Sequence, residues 1–237
     1  WARRLSFSHD GKTFALPSQD TVTLLNSDTT ARIKILKGHS EGVNSLSFSP
    51  NGKNIASASA DGTVKLWNTI NGREIKTLKG HSQEIMSASF SPDAKTIAFA
   101  WDDNRIKVDS IGSRQKPKIL KGHSGKVNSI SFSKDGQIIA SASSDKTIKL
   151  WDRSNGKEIK TFKGHSKDIN SVSFSSDGRT IASASDDNTV KLWDINTGKE
   201  IKTFKSDSKG VSNVSFSPDG QNIAYTSYEN NVSDKVF

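Results

Sequence analysis

The chain has 237 residues, with 34 Lys and Arg against 25 Asp and Glu and a formal charge of +9. It contains no cysteine, which excludes a disulfide framework and a cysteine-type zinc site. It also has no run of about 18 apolar residues of the kind a membrane-spanning helix needs. Hydrophobic residues are only 32% of the chain, which suits many short strands joined by tight turns. The single methionine is Met86, so the chain is expected to be part of a longer polypeptide.

Lys-Gly-His-Ser recurs at a spacing of 42 residues, with histidines at His39, His81, His123 and His165, and Lys205 to Ser208 keeps the register in eroded form. A constant period in this range marks a repeat architecture whose units stack on their neighbours. Six units follow in chain order through Phe7, Phe48, Phe90, Phe132, Phe174 and Phe216. Their approximate bounds are 1–36, 37–78, 79–120, 121–162, 163–204 and 205–237, read together as one domain over 1–237. The fourth and fifth units match at 29 of 42 positions without a gap.

Within the fourth unit the first run, Val127 to Phe132, alternates apolar and polar residues and ends at Asp135-Gly136. The second run is Ile138 to Ser143. A turn at Asp145-Lys146 leads to the third, Thr147 to Trp151, and Asn155-Gly156 leads to the fourth, Glu158 to Phe162. Period-2 alternation between such turns predicts consecutive antiparallel hairpins. The predicted fold class is all-β, with four-stranded antiparallel blades of a β-propeller. Near Val232 to Phe237 the sixth unit reaches only a third strand, so its blade is expected to be incomplete and a seventh to be missing.

Gly-His, Phe-Ser-x-Asp-Gly, Ile-Ala-Ser-Ala-Ser-x-Asp and Lys-Leu-Trp-Asp, in that order, resemble the WD-repeat family. Trp151-Asp152 and Trp193-Asp194 are the dipeptide itself, and Trp67-Asn68 is a near copy. The high identity between units resembles the WD domains of large bacterial, notably cyanobacterial, signalling proteins. The resemblance implies hydrogen-bonded structural sets at His39-Ser57-Asp61-Trp67, His123-Ser141-Asp145-Trp151 and His165-Ser183-Asp187-Trp193. A catalytic triad needs one constellation with an oxyanion hole, whereas this set recurs, so no catalytic residue and no enzyme is expected. Histidines 42 residues apart fall in different blades and share no metal, and no phosphate or dinucleotide loop occurs, so no cofactor is expected.

The resemblance also places ligand contacts three and five residues after the histidine and just before the turn aspartate. Carried over, these include Glu84, Met86, Asp102, Lys126, Asn128, Ser144, Asp168, Asn170, Asp186 and Tyr228. The third unit departs most: Phe99 stands at the serine position, Asp109 at the tryptophan position, and Trp101 where others have Ser59, Ser143 or Ser185. Trp101 is read either as repacking that blade or as an exposed anchor beside Glu84, Met86 and Asp102, as interface hot spots favour Trp in a polar surround.

The lysines follow the repeat, as at Lys65, Lys107, Lys149 and Lys191, which reads as charged strand edges and disfavours nucleic acid. The expected function is a cytoplasmic, non-catalytic scaffold or sensor. Its partner is a protein or peptide with a basic and apolar contact surface, or another domain of the same chain, and no membrane partner is expected. The alternative is a self-association module completed by another chain or segment.

Overall fold

The protein is described by a computed structural model at residues 5–80, 84–113, 115–207, 209–228 and 235–236, the last pair as backbone. The described secondary structure is all strand and turn. The chain divides into two compact units, Arg3–Ile119 and Leu120–Phe237.

The first unit holds three four-stranded sheets, each ordered as in the sequence. The first contains β1 (Ser6–Phe7), β2 (Thr13–Pro17), β3 (Thr21–Asn26) and β4 (Arg32–Lys37). The second contains β5 (Val43–Phe48), β6 (Asn54–Ser59), β7 (Thr63–Asn68) and β8 (Glu74–Lys79). The third contains β9 (Ile85–Phe90), β10 (Thr96–Trp101), β11 (Ile106–Ser110) and β12 (Lys118–Leu120).

The second unit repeats the pattern with β13 (Val127–Phe132), β14 (Ile138–Ser143), β15 (Thr147–Asp152) and β16 (Glu158–Lys163). The next sheet holds β17 (Ile169–Phe174), β18 (Thr180–Ser185), β19 (Thr189–Asp194) and β20 (Glu200–Lys205). The last contains β21 (Val211–Phe216), β22 (Ile223–Ser227) and β23 (Lys235–Val236), and so has three strands.

Alternation decides how neighbouring sheets pack. In β6 the side chains of Ile55 and Ser57 point one way, and Ile55 joins Trp67, Val22 and Leu24 in a core with the first sheet. Ala56 and Ala58 point the other way and pack with Ile85, Ala88, Phe99 and Trp101 of the third sheet. Small residues on this face let the sheets approach closely. The same division recurs in the second unit, where Ala140 and Ala142 meet Ile169 and Phe174, and Ala182 and Ala184 meet Val211 and Val214. Each fully buried Val, Leu, Ile or Phe contributes about 1.5–3 kcal/mol. The fourth strands lie outside, where Ile75, Ile159 and Ile201 are half exposed among lysines, a charged edge of the kind that discourages strand pairing between chains.

In the second to sixth sheets the opening strand carries a β-bulge. The register jumps between Val43 and Ser45, between Val127 and Ser129, between Ile169 and Ser171, and between Val211 and Asn213. In β9 the partners of Ala100 and Trp101 are Ser87 and Ile85, which leaves Met86 as the extra residue. A bulge removes one residue from the pairing and re-aims its side chain.

Candidate functional site

Three buried polar sets repeat one geometry. In the second sheet His39 Nδ1 lies 2.8 Å from Asp61 Oδ2, and its Nε2 lies 2.7 Å from Ser57 Oγ. Trp67 Nε1 donates to the same Ser57 oxygen over 2.8 Å. The corresponding distances are 2.7, 2.7 and 2.8 Å for His123, Asp145, Ser141 and Trp151. For His165, Asp187, Ser183 and Trp193 they are 2.8, 2.7 and 2.8 Å. A neutral imidazole fits these contacts at His39 and His165, which burial holds below the ordinary value: Nδ1–H donates to the carboxylate, Nε2 accepts from the serine hydroxyl, and the indole N–H donates to the serine.

The carboxylates are held further. Asp61 also accepts from Ser40 N and from the Thr63 hydroxyl, and Asp145 and Asp187 accept the same pair of donors. These threonines were not singled out in the sequence; their signal is a Thr two residues after each turn Asp, at Thr63, Thr147 and Thr189. Burial pushes the pKa of Asp61 and Asp187 up, but the hydrogen bonds outweigh it and hold both below the usual carboxylate range. Burial pushes His39 and His165 down, against the opposing effect of their aspartates. The serine oxygens are fully buried and saturated, so no substrate reaches them. The sets are fastenings of each sheet, satisfied as buried polar groups must be.

The bulge residues fasten sheet to sheet. Asn44 Nδ2 donates to the carbonyl of Ile85 over 3.0 Å and to Glu84 Oε1 over 3.2 Å. Asn128 Nδ2 donates to Ile169 O and Ser144 Oγ, and Asn170 Nδ2 to Val211 O and Asp186 Oδ1. Asn128, Asn170, Ser144, Asp186 and Glu84, expected from the resemblance as ligand contacts, are thus engaged inside the protein. Serine hydroxyls add to the seam, as where Phe90 N donates to Ser47 Oγ and Phe216 N to Ser173 Oγ. In the third sheet the bulge carries Met86, whose thioether cannot donate, and in the sixth Ser212 turns back to Thr226 O.

The exposed-anchor reading of Trp101 is corrected by the structure. Its side chain is fully buried, in the core shared by the second and third sheets, with Phe99 edge-on at 5.6 Å. The reason is volume: Asp109 lies where sister sheets place their tryptophan, and the two aromatics on β10 fill the space. A Cβ at Gly80 would lie 2.2 Å from Trp101 Nε1, so glycine makes room for the indole. Asp103 pairs with Arg105. His81 lies outside the described residues. Glu84, Met86 and Asp102 are half buried, and Asp102 N donates to Glu84 O.

In the second unit the same end presents other groups. Lys126 is exposed and its carbonyl accepts from Ser144 N; Asp168 is half buried and its carbonyl accepts from Asp186 N. Tyr228 is 44% exposed. Its ring lies over Gly210, whose Cβ would stand 3.0 Å from Tyr228 Cδ2 and 3.3 Å from Asp186 Oδ1. The structure therefore brings Asp186, Asn170 and Tyr228 together around Gly210. Among the described residues, no group of three or more acidic or histidine side chains is placed to hold a metal ion.

A family model described as IFT122 first beta-propeller matches residues 84–233, and one described as WD domain, G-beta repeat matches residues 30–68. No curated protein matches the chain. The matched spans contain the three buried His-Ser-Asp-Trp sets, and the chain belongs to the WD-repeat β-propeller family, of the type described by the IFT122 first beta-propeller.

Proposed function

We propose that this chain is a non-catalytic scaffold of the signalling type that binds a protein or peptide through the end of its sheets where the turn aspartates lie. One observation carries the reading. The side chains common to the repeats are consumed by internal bonds, whereas those that differ at that end include exposed Lys126, half-buried Asp168 and partly exposed Tyr228 in the second unit. Repeat proteins bind with the positions that packing does not dictate. An aromatic ring beside carboxylates suits a partner with a basic and apolar surface, and complementary charge makes such binding salt-sensitive.

The test is a pull-down at low and high salt with Asp168→Lys and Tyr228→Ala beside the parent, and Lys202→Glu on an outer strand as control. A protein partner kept by the parent and control, and lost by both variants, supports the proposal. Co-purifying nucleic acid, or retention by both variants, overturns it. A second reading, self-association, is favoured by the first sheet, where Leu5, Phe7 and Leu16 are 50%, 56% and 38% exposed. Sedimentation over a range of concentrations tests it, and a purely monomeric species counts against it.

A further inference from the structure

We infer that the cleft between the first and second sheets is a docking site for an acidic peptide segment carrying a bulky apolar side chain. The cleft encloses about 460 Å³, within the roughly 300–1,000 Å³ of ligand clefts in general. It is separate from the rim discussed above. Its walls are Leu24, Ile33, Phe48, Pro50 and Ile70.

The repeat shows why it is open. Two positions matter at a seam within a unit: the residue that starts the second strand of one sheet, and the one that follows the third strand of the next. In the seam between the fourth and fifth sheets these are Ile138 and Ile195, and both pack onto the core. In the seam between the second and third sheets Ile111 plugs the same place. Thr69, Ile111 and Ile195 are equivalent, because each donates its N–H back across its turn, to Lys53 O, Lys95 O and Arg179 O. Here the two positions are Thr13 and Thr69, both lining the cleft, where the fourth-to-fifth seam has Ile138 and Ile195 and the second-to-third seam has Asn54 and Ile111. At the mouth, Ile70 is 74% exposed where Ser154 and Asn196 occupy the equivalent turn positions. An apolar residue replaces a polar one where the seam lost its plug.

The polar groups set the charge of the occupant. Asp10 Oδ1 accepts from Ser8 Oγ over 2.7 Å and from Lys12 N over 3.1 Å, and Asn51 Oδ1 accepts from Ser49 Oγ over 2.7 Å. Thr69 Oγ1 donates to Gly52 O. The acceptors are thus satisfied within their own turns. Lys53 is not: among the described residues its side chain makes no hydrogen bond or ion pair. Lys34 reaches the carbonyl of Ile70 at the same mouth. An apolar hollow ringed by donors recognises a large aliphatic or aromatic side chain flanked by carboxylates.

The probe is a fluorescein-labelled peptide with Asp-Leu-Phe-Asp between glycine-serine flanks, read by fluorescence anisotropy on the whole chain. Lys-Leu-Phe-Lys and Asp-Ser-Ser-Asp in the same flanks are the comparisons. The first peptide is expected to bind at least about ten-fold more tightly than either. Filling the cleft with Thr13→Ile and Thr69→Ile is expected to weaken binding about ten-fold or more, with the melting temperature unchanged or raised. Lys53→Glu shifts the preference toward the lysine peptide. Equal affinity for the three peptides, no binding, or undiminished binding by the filled variant overturns the proposal. Asp168→Lys leaves this binding intact, which separates it from the rim.

Discussion

Asn128 reaches from a bulge in one sheet to the carbonyl of Ile169 in the next, over 3.0 Å. The bulge takes Asn128 out of the ladder, so its amide can span the seam without costing a strand hydrogen bond. Asn128→Ala removes the donor from a seam that closes on buried Val127 and Ile169. The expected loss is about 1–3 kcal/mol, the cost of an unsatisfied buried partner. Urea unfolding measures it; a loss within the scatter of surface substitutions means that the amide only decorates the seam.

Trp101 and Tyr228 separate core from surface. Trp101→Ala empties a fully buried site between two sheets and is expected to cost about 3–5 kcal/mol. Tyr228→Ala, at a partly exposed ring, is expected to stay within about 1 kcal/mol. Thermal melts of both variants decide, and equal losses contradict this placement of the tryptophan.

Much of the fold was legible because its signals are local. Val127 to Phe132 and Ile138 to Ser143 are predicted with the bounds the strands have, and the next two runs are each one residue short of Asp152 and Lys163. Turns such as Asp135-Gly136 fix each hairpin within a few residues. Contacts between sheets were less legible. Asn128 and Ile169 lie 41 residues apart, and a half-polar bulge residue reads equally as a seam fastening or a ligand contact. Trp101 likewise satisfied both a core and a surface reading until the volume left by Asp109 was visible. The cleft arises from Thr13 and Thr69, which are unremarkable until their isoleucine counterparts are seen packed.

Acid should weaken the protein in two stages. Buried His39 and His165 are held below the ordinary imidazole value of about 6.5, which the unfolded chain retains. Below that pH the unfolded state binds more protons than the folded one, so stability falls as pH falls until the folded histidines also protonate. Asp61, Asp145 and Asp187 are also depressed in the folded state. Their contribution is complete above the ordinary carboxylate value of about 3.9 and is lost as pH falls below it. Urea midpoints should be level above about pH 7, decline from about pH 6.5, and decline further below about pH 4. A double variant, His39→Gln with His165→Gln, should be less stable at neutral pH yet flatter through the first stage. An identical slope in parent and variant sinks the histidine assignment.

Lys146 sits in the turn between β14 and β15 with φ at 67°, and Asn188 at 68°, where the second sheet has Gly62 at 76°. The left-handed conformation costs a residue with a Cβ roughly 1–2 kcal/mol, whereas glycine adopts it freely. Glycine also loses more freedom on folding, which offsets part of the gain. Lys146→Gly is therefore expected to stabilise the protein by about 0.5–1 kcal/mol. The neighbouring Asp145 keeps its bonds to His123, Thr147 and Ser124, since they involve its own side chain. Lys146→Ala removes the same charge but keeps a Cβ, so it should show no such gain. Urea midpoints of the two variants separate the causes: a rise in glycine alone assigns the effect to the backbone. An equal rise in both assigns it to the lysine charge, and the strain argument then fails.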